Sequence, residues 1–418
     1  MGEKSSVRKS DHIVTQSELG IYIHIPFCIR KCAYCDFLSF PAGEELREEY
    51  VKALCREIES WNTGGKTWLA GLRRESSRTD SSPARAVSIF FGGGTPSLLE
   101  PGQIAEILEA VRKSFACSQH TEITMECNPG TLSDAKLRSL REMGINRLSI
   151  GLQSANDTEL KRLGRIHDLK TFEENYHAAR DAGFTNINVD LMSALPGQTV
   201  QDWESTLARV VSLDPPPEHI SAYSLIIEEG TPFYARYGEE GDCRGQLPSE
   251  EDERRMYRLT RDFLELCGYH RYEISNYALE GYECIHNLGY WKRRDYLGFG
   301  LGAASCMDQI RWSNTRDMET YLRSFGQSGY VSDRARTQIQ VLSRQEQIEE
   351  CVFLGLRMTR GIDLEAFLRE FGIGFRDLFG KKIEKLEKAG LLRICGGYAR
   401  VTDEGFDLEG YVERELLT

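Results

Sequence analysis

The chain has 418 residues, too many for one ordinary domain, and its 40% hydrophobic and 28% charged residues suit a globular protein in water. A net charge of −12 argues against a dedicated DNA or RNA binder, which is ordinarily basic. No apolar run reaches the length of a membrane-spanning helix, and the opening residues MGEKSSVRKSDHIVTQSELG lack the apolar stretch of a secretory signal, so the expected location is the cytoplasm.

Residues 1–19 read as a polar leader, after which strand and helix alternate. GIYIHI at 20–25 reads as a strand and 43–61 as a helix; AVSIFF at 86–91 is a strand with a helix after Pro101. TEITMEC at 121–127 is a strand, followed by a helix over 132–143 that Gly144 ends. INRLSIG at 145–151 is a strand, with helical patterns at 156–163 and 168–182. TNINVDL at 185–191 and EHISAYSL at 218–225 are strands, with helices over 200–213 and 250–267. Six βα units in strict order predict a parallel sheet covered by helices, specifically an open, partial (β/α)6 barrel over 20–268. NTGGKTWLAGLRRESSRTDSSPAR at 62–85 is expected to be a flexible loop in the first crossover, remote from the strand C-termini. An extension dense in Tyr, Asn, Gly and Trp occupies 269–340. Over 345–418 the order helix, Gly turn, strand, Gly-Gly turn, strand predicts a helical, winged-helix-like region. Winged helices often bind DNA, but the acidic balance favours a packing or partner role here. The expected fold class is therefore α/β, a partial barrel with a C-terminal winged-helix-like region.

Nine of the 12 cysteines are scattered; three are not. Cys28-Ile-Arg-Lys-Cys32-Ala-Tyr-Cys35 puts three thiolates in one short loop, and thiolates are the usual protein ligands of iron–sulfur clusters. Three ligands leave one iron of a [4Fe–4S] cube without a protein ligand, open to a substrate or cofactor. Zinc is an alternative, with His24 or a distant cysteine as the fourth ligand. A C-x-x-C redox pair at Cys32 and Cys35 is another. FFGGGTPS at 90–97 follows the second strand, and its glycines let backbone groups approach a ligand. Glu126, Gln153, Arg165 and Asp190 lie at or just beyond the ends of the third, fourth and fifth strands, on the rim where barrel sites are built.

The run Tyr22-x-His24-x-Pro26-Phe27-Cys28-x3-Cys32-x-Tyr34-Cys35-Asp36-Phe37 resembles the radical S-adenosylmethionine (radical SAM) superfamily. Within it, the run is similar to the branch of the oxygen-independent coproporphyrinogen oxidase HemN and the heme chaperone HemW. The resemblance spans nearly the whole chain. It implies a [4Fe–4S] cluster on Cys28, Cys32 and Cys35, with S-adenosylmethionine on the open iron. It implies S-adenosylmethionine contacts from Tyr22, Tyr34, Gly93, Gly94, Thr95, Glu126, Gln153, Arg165 and Asp190. The chemistry implied is reductive cleavage of S-adenosylmethionine to methionine and a 5′-deoxyadenosyl radical.

Two features turn the resemblance toward HemW. The oxidase has a fourth cysteine two residues after the last ligand, where this chain has Phe37, and its N-terminal extension is longer. The segment EISNYALEGYECIHNLGYWKRRDY carries an HNxxYW motif as His286-Asn287-x2-Tyr290-Trp291. Helical spacing keeps His286, Tyr290 and Trp291 close, and an imidazole beside flat rings can ligate heme iron and cover a porphyrin face. Arg293 and Arg294 are placed to meet propionates, and Cys284 is a rival axial ligand. A bland packing role, with His286 hydrogen-bonded and Trp291 in the core, answers the same pattern. The resemblance implies heme as cargo, delivered to heme-accepting target proteins, without coproporphyrinogen dehydrogenase activity. The alternatives are the dehydrogenase itself and a heme-degrading radical SAM methyltransferase. A homodimer and peripheral membrane association are compatible with the resemblance, and no nucleic-acid partner is expected.

Overall fold

The computed structural model describes residues 18–72, 84–326 and 335–417. The polar leader therefore lies outside the described residues, except for Glu18 and Leu19, which open the first strand.

Six parallel strands follow one another in chain order: β1 (Glu18–Ile25), β2 (Arg85–Gly93), β3 (Ala116–Cys127), β4 (Arg147–Gln153), β5 (Ile187–Ser193) and β6 (His219–Ser224). Along β1, Ile21, Ile23 and Ile25 are fully buried; Ile89 and Phe91 of β2 and Leu148 and Ile150 of β4 match them. These join one large hydrophobic core with the covering helices. Alternate positions face inward and are polar or aromatic: Tyr22, Phe90, Glu126, Ser149 and Asp190 line a cavity inside the barrel. Strand pleating thus separates an apolar outer face from a lumen fit for polar ligands.

Helix starts follow local chemistry. Ser133, Asn156, Asp168 and Ser249 accept from backbone N–H groups two or three residues on, and Thr199 forms a capping box with Asp202. Gly164 ends the helix Asp157–Leu163 in the left-handed region, φ 75°, where a side chain would be strained.

The extension beyond 268 belongs to the same sheet. It supplies β7 (His270–Arg271), β8 (Asn276–Ala278), β9 (Tyr296–Phe299), β10 (Ala304–Met307), β11 (Ile310–Asn314) and β12 (Arg336–Val341). The 12-stranded order is β12-β11-β10-β9-β1-β2-β3-β4-β5-β6-β8-β7, with β9 parallel to β1 and β8 antiparallel to β6. These strands prolong both edges of the open barrel.

Part of the expected loop at 62–85 is helical. Trp61–Gly65 makes a wide π turn and Lys66–Leu72 an α-helix, while 73–83 lie outside the described residues. Trp61 stacks on Trp312 of β11 at 6.3 Å, and Trp68 meets the same ring edge-on at 5.2 Å. Burying these indoles orders a stretch whose composition reads as loop.

The C-terminal region has its own core, from Ile348 to Leu416. Helices Arg344–Leu356, Leu364–Phe371 and Phe375–Lys388 pack on β13 (Ile362–Asp363), β14 (Leu392–Cys395) and β15 (Tyr398–Val401), ordered β13-β15-β14. The expected sequence of helix, Gly390 turn, strand, Gly396-Gly397 turn and strand is present. A closing helix, Glu409–Leu417, was not expected. Among the described residues no helix is long and apolar enough to cross a membrane.

Candidate functional site

The cysteine loop leaves β1 at Ile25 and is closed at its neck. Cys28 N–H donates to Phe40 O at 3.1 Å, and Phe40 N–H to Pro26 O at 2.9 Å. The glycine motif beside it is fastened to the same loop: Gly94 N–H donates to Ile25 O and Thr95 N–H to Phe27 O, both at 2.8 Å. Only glycines fit. A Cβ on Gly94 would lie 2.6 Å from Phe27 O, and one on Gly93, whose φ is +111°, would lie 2.5 Å from the His24 ring.

The cysteines are partly exposed and none of them is in a disulfide. Two are met by donors: Thr95 Oγ1 donates to Cys28 Sγ at 3.6 Å and Arg165 Nη1 to Cys32 Sγ at 3.7 Å. Donors aimed at sulfur suit thiolates that carry a cluster's negative charge. Both ring nitrogens of His24 are engaged within the protein: Nε2 donates to Leu38 O at 2.9 Å and Nδ1 accepts from Tyr22 OH at 3.0 Å. Among the described residues, no three His, Cys, Asp or Glu side chains converge on a point that one metal ion would occupy. A cube asks something else of its cysteines, one ligand to each of three irons.

Arg165 and Asn128 knit the rim. Arg165 Nη2 donates to Asn128 Oδ1 at 2.8 Å and to Gly151 O at 2.7 Å, and Asn128 Nδ2 donates to Thr95 Oγ1 at 2.8 Å. Arg165 Nε is buried with no hydrogen-bond partner, a donor left for an anionic ligand group. Asn128, one residue beyond β3, is a site residue the sequence reading did not single out. Tyr223, at the end of β6, is another: its OH donates to Gln153 Oε1 at 3.1 Å. Gln153 itself holds φ 73°, an unusual angle for a side-chain-bearing residue at a strand end. Tyr34, the residue before the last ligand, packs edge-on to Phe233 at 6.2 Å.

Below the rim, Glu126 Oε2 accepts from Gly93 N–H at 3.1 Å. Burial, then the neighbouring Asp190 carboxylate, pushes Glu126 up to about 8. Burial also raises Asp190, against hydrogen bonds from Asn188 and Ser149. The structure thus brings the expected cofactor residues together on one rim in two tiers. Thr95 and Arg165 touch the cysteines; Tyr22, Glu126 and Asp190 line a lumen cavity of about 200 Å³.

The same cavity is floored by the HNxxYW helix, Ile285–Trp291, which plugs the end of the barrel away from the cysteines. Glu122 of β3 accepts from Ile285 N–H and His286 N–H, both at 3.0 Å, and so caps the helix from inside the barrel. His286 is 3% exposed. Its Nδ1 is hydrogen-bonded to Ser88 Oγ at 2.9 Å and its Nε2 to Tyr290 OH at 3.0 Å, and its ring stacks on Phe90 at 5.1 Å. Burial, then Arg294 and Arg147, pushes its pKa down to about 3, so the imidazole is neutral. Cys284 is fully buried with Sγ 3.6 Å from Glu122. Trp291 parts from its two companions: it faces the C-terminal region, with the Arg357 guanidinium 4.8 Å above its ring. Arg293 is paired to Glu350 and Glu370.

Residues 22–210 match the radical SAM superfamily and residues 342–408 the HemN C-terminal domain. The chain is 35% identical to the heme chaperone HemW of Lactococcus lactis over 96% of its own length and 98% of that protein's. It is 36% identical to the heme chaperone HemW of Bacillus subtilis, over 92% and 95% of the two chains. The solved structure of coproporphyrinogen III oxidase, HemN, from Escherichia coli superposes with a TM-score of 0.78 at 24% identity, covering 96% of this chain and 91% of that one, a likeness of fold. The chain belongs to the radical SAM superfamily, in the HemW-like group that carries a HemN C-terminal domain.

Proposed function

We propose that this protein is a heme carrier built on a radical SAM barrel: it binds heme, passes it to target hemoproteins, and does not dehydrogenate coproporphyrinogen. The observation that carries the reading is similarity along nearly the full chain to proteins named heme chaperones, at 35% and 36% identity. Phe37 supports it. A phenyl ring, 65% exposed, stands just past the cysteine trio where the dehydrogenase has its fourth cysteine.

In this reading Cys28, Cys32 and Cys35 hold the [4Fe–4S] cluster, and Thr95 and Arg165 steady two of the sulfurs. When bound, the cluster and S-adenosylmethionine supply one-electron cleavage of a carbon–sulfur bond. The chain's own residues position the cofactor: Gly93, Gly94 and Thr95 by close backbone approach, Arg165 by its free Nε, Glu126, Gln153 and Asp190 as polar contacts, and Tyr22 and Tyr34 as aromatic walls. The HNxxYW helix marks the heme-holding end of the molecule, and of His286, Tyr290 and Trp291 it is Tyr290 that also lines the open cavity beside it. His286 would reach iron only after one ring nitrogen gives up its hydrogen bond to Ser88 or to Tyr290.

One anaerobically reconstituted sample decides between carrier and dehydrogenase. Heme binding seen by its Soret band, with no protoporphyrinogen formed from coproporphyrinogen III, is the expected result. Sustained decarboxylation by the same sample would restore the dehydrogenase.

A further inference from the structure

We infer that heme is seated in the cavity between the HNxxYW helix and the C-terminal region, with Cys306 as its iron ligand and Arg294 as a propionate partner. The inference rests on the heme-carrier reading and deepens it.

Four observations point there. First, the ligands nearest the motif are closed: His286 has both ring nitrogens hydrogen-bonded, and Cys284 is fully buried. Second, a cavity of about 480 Å³ opens on the other side of Tyr290, within the range of small-molecule and cofactor sites. Third, its walls combine the tyrosines Tyr290 and Tyr296, the apolar Phe353, Leu354 and Leu417, and three arginines, Arg293, Arg294 and Arg311, set among the acids Asp295, Glu349 and Glu350. A flat apolar macrocycle with two carboxylates and a central metal asks for that combination. Fourth, the cations are not equivalent. Arg293 and Arg311 share Glu350, whereas Arg294 has a buried Nη1 with no hydrogen-bond partner. A buried unpaired guanidinium nitrogen is costly, and turning Arg294 to meet a carboxylate in the cavity relieves it.

Cys306 completes the wall. It lies on β10 opposite Tyr296 of β9, partly exposed and lining the cavity. Burial, then Glu350, pushes its thiol up to about 11, with Asp295 adding to the rise and Arg311 and Arg293 opposing it. The resting group is therefore a thiol, and binding ferric iron releases its proton. Tyr290 is shared by this cavity and the lumen cavity that holds Tyr22, Glu126 and Asp190. A heme seated here lies behind the barrel plug, apart from the cluster mouth.

The test is a ferric heme titration of the full-length, cluster-reconstituted protein, followed by Soret position and the electron paramagnetic resonance signature of thiolate ligation. Variants are Cys306→Ser, Arg294→Gln and His286→Ala, with Cys395→Ser in the exposed strand β14 as control, each checked for an unchanged melting curve. Cys306→Ser is expected to lose the thiolate signature and to bind about tenfold more weakly, equivalent to ~1.4 kcal/mol. Arg294→Gln is expected to weaken binding with the signature kept, and Cys395→Ser to match wild type. Wild-type affinity and spectrum in Cys306→Ser, or loss of the Soret band in His286→Ala alone, would overturn the seat while leaving the carrier reading intact. Failure of wild type to bind heme would overturn both.

Discussion

Glu126 and Asp190 share the barrel lumen, and two carboxyl groups there do not both ionise at neutral pH. Glu126 is held up to about 8, above its ordinary value of 4.5, chiefly by burial and then by Asp190. A carboxyl raised in the folded state contributes stability that is full below its unfolded value and is lost as pH rises through its folded one. Melting of the apoprotein is therefore expected to weaken between about pH 4.5 and 8, and Glu126→Gln to flatten that fall; equal slopes in both proteins would remove Glu126 from the effect. Gly93 carries a second prediction. With φ +111° and a Cβ position 2.5 Å from the His24 ring, Gly93→Val should cost about 1–3 kcal/mol in chemical denaturation, and a neutral result would show that the loop relaxes. The cysteine trio and the glycine run are legible in sequence because each is a compact run of one residue type set just after a strand. Asn128 was not, since its partners Thr95 and Arg165 lie 33 and 37 residues distant and only the fold joins them.

At the scale of elements, the six βα units were legible from alternation alone, and the observed strands match them with ends shifted by a few residues. The extension was not. Nothing in the pattern of 269–340 says that Tyr296–Phe299 pairs in parallel with β1, because that pairing is a property of closure at the sheet edge. The helix at 66–72 is hidden in the sequence for a related reason: Trp68 packs on Trp312, far along the chain. For the HNxxYW helix the spacing argument worked for His286 and Tyr290, which touch. It failed for Trp291, since one further residue turns a side chain by ~100° about the helix, and that carries Trp291 toward Arg357. Glu122 holds this helix by two backbone N–H groups. Glu122→Ala leaves both without that partner and is expected to cost about 1–3 kcal/mol, read as a lower melting temperature and faster amide exchange at Ile285 and His286. Unchanged exchange there would show that the plug is held by packing alone.

For the whole molecule, the two ends of the barrel carry different groups. The cysteines, the glycine motif, Asn128 and Arg165 meet at the mouth, and the HNxxYW helix closes the other end against the C-terminal region. Anaerobic reconstitution is expected to give about four irons and four sulfides per chain. Cys28→Ala, Cys32→Ala and Cys35→Ala should each abolish the cluster, whereas Cys55, Cys117, Cys243 and Cys395 should be replaceable. Stoichiometric zinc without sulfide in protein isolated anaerobically would contradict the cluster.

The most direct test of the proposed carrier function is heme transfer. The reconstituted protein, loaded with heme and freed of excess, is mixed with an apo-hemoprotein acceptor, and the Soret spectrum and the heme content of the two re-separated proteins are followed. Heme is expected to leave this chain and appear in the acceptor faster than by release into buffer. Heme that stays with the donor, or that reaches the acceptor no faster than free release allows, would contradict it.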